Sequence, residues 1–138
     1  MSAVLLALAP GPVLATGGAE LDYAVTCQGC HLADGRGTDT VPRLAGSVAR
    51  FLRVPGGREY VARVPGVAQA PLDDAATAVL LNWVLDRFDR DHIPADFVPY
   101  SANEIATLRR SPLVDVEGTR RRLLDALEHP GAVPRPPP

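Results

Sequence analysis

The chain has 138 residues and a mass of 14.6 kDa, room for one core of the usual size, about 100–150 residues, and little more. Hydrophobic residues make up 46%, but 14 prolines and 12 glycines interrupt them so often that the core must be assembled from short helices, which excludes a long-stranded sheet. A formal net charge of −2 and a pI near 5.9 leave no footprint for nucleic acid, and every one of the 14 basic residues is arginine.

Residues 1–15, MSAVLLALAPGPVLA, are apolar, with Val13 and Ala15 spaced like the small residues before a signal-peptidase cut. They lack a basic start and read as the distal part of an export signal, so a periplasmic or otherwise exported location is expected. No run reaches the roughly 18 apolar residues of a membrane span, and a soluble mature protein is expected. After the break at Thr16, Gly17 and Gly18, the residues Leu21, Ala24, Val25 and Gln28 keep helical spacing, which places Cys27 in the last turns of a first helix. Glycines and prolines then dictate a loop over 32–57 with at most a short helix at 47–53. A second short helix is predicted at 58–64, ended by Pro65 and Gly66.

The strongest helical signal starts at Asp73, a good N-cap, and runs to about residue 88. Ala76, Val79, Leu80 and Trp83 form one apolar row and Leu81, Val84, Leu85 and Phe88 a second, so this helix is buried on most sides and is the core helix. Ser101 and Glu104 have the form of a capping box opening a helix to about 110. A last helix near 116–128 offers Leu123, Leu124 and Leu127 as its apolar stripe, and the Pro-rich end at 130–138 is expected to be disordered. Charge divides along the chain: 31–70 carry six arginines against three acids, a net of +3, and 71–108 carry two arginines against seven acids, a net of −5.

The chemistry is concentrated in CQGCHLADGRG at 27–37, which holds both cysteines and sets His31 directly behind the second. On a helix, positions i, i+3 and i+4 share a face, so Cys27, Cys30 and His31 point the same way. That suits a covalently held haem, with two thioethers tethering the macrocycle and the adjacent imidazole reaching its iron. Three other readings use the residues less completely. A redox disulfide of thioredoxin type needs a preceding strand, and none is predicted. A zinc site would have to recruit His92 and His129, at spacings unlike the usual ones. A structural disulfide leaves His31 without a role.

These residues, with VPRLAG at 41–46 and PLDDAATAVLLNWVL at 71–85, resemble the bacterial class I-type monohaem c-type cytochromes over about residues 19–90. The resemblance implies an all-α, cytochrome c-like haem domain of short helices and long loops at 16–92, followed by a helical extension at 93–129. It implies one haem c on Cys27 and Cys30, with His31 on the iron. Pro42 matches the proline whose carbonyl accepts the Nδ1 proton of the proximal histidine, a bond that fixes tautomer and ring orientation. Trp83 falls on the helix that closes the haem fold. Arg43, with Arg50, Arg53, Arg58 and Arg63, is a candidate to neutralise haem propionates through the fork of its guanidinium.

The chain departs from that family at the distal ligand. The family usually takes a methionine from the loop before the closing helix, and here that loop reads VPGVAQAPL, while the sole methionine is Met1. Val67 or Ala68 stands nearest the missing position, and neither side chain can bind iron. The distal ligand is thus open in this reading: an apolar pocket with Tyr60 or Gln69 near enough to hydrogen-bond a small ligand, or His92 delivered from the turn after the closing helix, or a ligand from a partner chain.

The function implied is one-electron transfer between a periplasmic oxidoreductase and a downstream acceptor protein. The alternatives are a five-coordinate haem protein that binds or reduces a gas or peroxide, and a haem subunit docked permanently on a larger dehydrogenase through 93–129. No acid, base or nucleophile assembly stands out, which favours a carrier over an enzyme.

Overall fold

The computed structural model describes residues 18–131; the export-signal candidate at 1–15 and most of the Pro-rich tail lie outside the described residues. Among the described residues every regular element is helical, as the proline and glycine content predicts. In chain order these are α1 (Gly18–Thr26), α2 (Gln28–His31), a 3₁₀ segment (Val48–Arg53), α3 (Gly57–Arg63), α4 (Pro65–Ala68), α5 (Asp74–Asp89), a 3₁₀ turn (Arg90–His92), α6 (Ala102–Leu108) and α7 (Val116–Glu128). The expected first helix is therefore interrupted at Cys27, where φ is −122° and ψ −36°. The second short helix ends before Pro65 as expected, and Pro65 then begins α4, because a ring with fixed φ and no N–H suits a first helical turn.

α5 is the core helix. The Asp73 carboxylate accepts the Ala76 N–H at 2.7 Å and caps it. Leu80, Leu81, Val84, Leu85 and Phe88 are all buried along its length. α1 packs across its C-terminal half through an aromatic cluster, with Tyr23 ring centroids 5.5 Å from Trp83 and 5.0 Å from Phe88. Gly35, at φ +69°, lies against the Phe88 ring, where a Cβ would come within 2.7 Å of a ring carbon, so the loop after α2 can close onto α5 only as glycine.

Residues 93–131 fold back onto this frame and share its core, contributing Tyr100, Ile105 and Leu123 to one hydrophobic cluster. α6 packs on α5, and α7 lies over the 3₁₀ segment. Polar bonds fix the return. Arg58 forms a bidentate pair with Glu104 at 2.6 and 2.8 Å, and its guanidinium lies 4.2 Å from the Tyr100 ring centroid. Asn82 exchanges two bonds with the Tyr100 backbone, at 2.9 and 3.0 Å. Arg63 donates to the Ser111 carbonyl, and Leu113 N–H returns a bond to Arg63 O. Arg53 donates to His92 O. Three of the five arginines considered for haem carboxylates are thus engaged with residues 92–111.

Candidate functional site

The site begins with the turn that α2 makes. His31 N–H donates to Cys27 O at 2.9 Å and Cys30 N–H to the same carbonyl at 3.1 Å, which draws both thiols and the imidazole to one side. His31 Nδ1 lies 2.9 Å from Pro42 O. A carbonyl can only accept, so Nδ1 carries the proton and Nε2 keeps its lone pair. Burial lowers the His31 pKa below its ordinary value, against the opposing effect of the Pro42 bond, so the ring is held neutral. Burial likewise raises the Cys27 thiol, opposed by its hydrogen bond with Thr26.

Gly37 is what lets Pro42 come so close. It has φ +70°, and a Cβ there would overlap the Val41 carbonyl oxygen and the Pro42 backbone. Its N–H donates to His31 O at 3.1 Å, tying the loop to the helix that presents the imidazole. Leu32, immediately after His31, has φ +64°, costly for a branched side chain, and its carbonyl is held by the Tyr23 hydroxyl at 2.6 Å.

Cys27, Cys30 and His31 open onto a cleft of about 290 Å³, walled mainly by aliphatic side chains such as Val61, Val64, Leu80, Leu81 and Val84. Of the other residues expected in the site, Pro42, Arg43, Tyr60 and Val67 line the cleft. Trp83, Ala68, Gln69 and His92 are not among its lining residues. Trp83 is engaged with Tyr23 and Phe88 instead. Ala68 is buried beside the cleft and Gln69 is exposed. His92 Nδ1 pairs with Asp89, whose other carboxylate oxygen accepts the Ala49 N–H at 2.7 Å. Asp89 is only 4% exposed, so the half-exposed His92 ring is tied to a buried carboxylate that links the end of α5 to the 3₁₀ segment. We expect His92→Ala to leave the visible spectrum unchanged; a conversion from low to high spin in that variant would restore His92 as iron ligand.

The sequence points to few of the aliphatic residues that wall the cleft and to none from the C-terminal segment, where Val116 and Arg120 of α7 also line it. The signal was present: 116, 120, 123 and 127 form one helical stripe, in which Arg120 is the single polar member. The family resemblance stops at about residue 90, so nothing in it points to Arg120.

No family model matches the chain. Two curated relatives do, both called cytochrome c-552 and both from Thermus thermophilus. Each is 32% identical over 106 residues, spanning 63% of this chain and 81% and 72% of the relatives. The chain belongs to the c-type cytochromes. Cytochromes of this family carry covalently bound haem c and transfer electrons, and this cytochrome has its two cysteines at the matching spacing. Its own geometry fits that group. Both thiols and a neutral imidazole with a free Nε2 converge on one apolar cleft, which is the donor set and the surroundings that a tethered porphyrin needs.

Proposed function

We propose that this c-type cytochrome is of the class I monohaem type and carries single electrons between a periplasmic oxidoreductase and a downstream acceptor protein. Cys27 and Cys30 tether the haem and His31 is its proximal ligand. The observation that carries this reading is the His31 Nδ1–Pro42 O bond at 2.9 Å beside both thiols. The haem supplies the one-electron chemistry. The chain orients the ligand ring through Pro42, excludes water with the aliphatic wall, and closes one side of the cleft with α7. In this reading 16–92 is the haem-binding segment and 93–129 the brace, bonded to it by Arg58, Arg63 and Asn82. Arg43, exposed at the cleft it lines, and Arg50, exposed on the 3₁₀ segment, form a basic rim that steers an acidic redox partner, speeding encounter more than it tightens the complex. Among the described residues no helix is long and apolar enough to cross a membrane.

A specific observation favours a second capability, binding of a small ligand at the iron. Apart from His31 and the two tethers, no histidine, cysteine or methionine lines the cleft among the described residues. The reduced holoprotein is therefore expected to form a carbon monoxide complex rapidly. A six-coordinate low-spin spectrum indifferent to carbon monoxide would remove this second reading and leave electron transfer alone.

A further inference from the structure

A haem brings two carboxylates into whatever cleft receives it, on the edge of the porphyrin opposite the vinyl groups that become thioethers. Left unmatched in an apolar site, each is costly. Among the described residues only two arginines, Arg43 and Arg120, line this cleft. Arg120 stands out on its own helix. Arg121 pairs with Glu117 at 3.7 Å and Arg122 with Asp115 at 3.6 Å, whereas Arg120, half-buried, makes no ion pair or hydrogen bond with another described residue. Its guanidinium carbon lies 6.0 Å from the centroid of Phe51, and on that same ring packs Tyr60, at 4.9 Å.

Tyr60 is the second observation. Of the three tyrosines, Tyr23 donates to Leu32 O and Tyr100 to Arg58 O, but Tyr60, 8% exposed, has no partner among the described residues. Among those residues no side-chain polar atom that is sealed from solvent lacks a partner, so the Tyr60 hydroxyl opens onto the cleft it lines. Burial pushes the Tyr60 phenol up and the nearby charge of Arg120 opposes that, as expected of two groups facing one space.

We propose that Arg120 and Tyr60 together form a carboxylate site for a haem propionate, so that α7 is a working wall of the redox centre. The proposal rests on the reading that haem c fills this cleft. Arg120 supplies a guanidinium fork and Tyr60 one O–H donor to the same anion. The positive charge favours the ferrous over the ferric haem, because the ferric form carries one more positive charge. The C-terminal segment thereby helps to set the reduction potential.

The test is spectroelectrochemical titration of holoprotein in Arg120→Gln, Arg120→Lys, Tyr60→Phe and Arg121→Gln variants. At a fixed ambient potential Arg120→Gln is expected to lower the reduced-to-oxidised ratio about tenfold, a shift of about 59 mV for one electron. Arg120→Lys, which keeps the charge, should shift less than Arg120→Gln, Tyr60→Phe should move in the same direction as Arg120→Gln, and Arg121→Gln should match the wild type. If Arg120→Gln behaves like Arg121→Gln, the proposal fails. It also fails if Arg120→Gln and Tyr60→Phe leave the potential unchanged but weaken azide binding to the ferric protein, which would assign the pair to a free anion. Absence of any haem spectrum in the wild type would instead overturn the reading of the cleft itself.

Discussion

Arg109→Met is expected to cost the fold about 3 kcal/mol, the scale for removing one member of a buried charged hydrogen-bond network. The Arg109 side chain is only 17% exposed and spreads over one short stretch of backbone. It donates to Ala68 O at 3.1 Å, Ala70 O at 2.8 Å and Leu72 O at 2.8 Å, and reaches Asp74 at 3.0 Å. Those carbonyls belong to the loop that, by family resemblance, would present a distal methionine. Here the loop has no iron–sulfur bond to hold it, and a guanidinium from the end of α6 gathers its carbonyls from the other side. Methionine keeps the apolar stem but leaves the acceptors without donors. The loss should appear as a lower denaturation midpoint with an unchanged slope, and Arg109→Lys should recover only part of it, since one ammonium cannot match a planar fork. A loss under about 1 kcal/mol would mean that water replaces the fan at little cost.

The paired change Cys27→Ala and Cys30→Ala carries the largest expected effect on the cofactor. With both thiols gone, the imidazole of His31 remains held by Pro42 and the apolar wall is intact, so any haem that binds does so only through iron and packing. Acid acetone should then remove the pigment, and most of the protein should be recovered without it. Each single variant should keep one bond and resist extraction. Retention of pigment by the double variant would show that the attachment lies elsewhere.

How much of this was legible in the sequence depends on the distance over which each residue acts. Asp73 as N-cap, Ser101 as N-cap and the α5 row of Leu81, Val84, Leu85 and Phe88 were readable because capping and periodicity act within a few residues, whereas Val79 of the other row is exposed. The interruption at Cys27 was not, because helical spacing continues through it. The arginines were the hardest. Arg58, Arg63 and Arg109 find partners 32 to 48 residues away, and nothing in a local pattern separates an arginine that clamps a distant carbonyl from one that faces water. Arg120 was hidden for the converse reason, since a charge within an apolar stripe has meaning only once the stripe is seen to border a cleft. His92 looked available because its partner, Asp89, resembles an exposed helix-end acid, and only packing shows it buried.

All of the proposed chemistry depends on both sulfurs being bonded to one porphyrin, beside the imidazole that holds its metal. The most direct measurement is the intact mass of the matured wild-type polypeptide after acid–acetone treatment. A coloured chain heavier by one haem, with both cysteines closed to thiol labels, is the predicted result; an uncoloured chain at the mass of the unmodified polypeptide, or two thiols free to react, would contradict it.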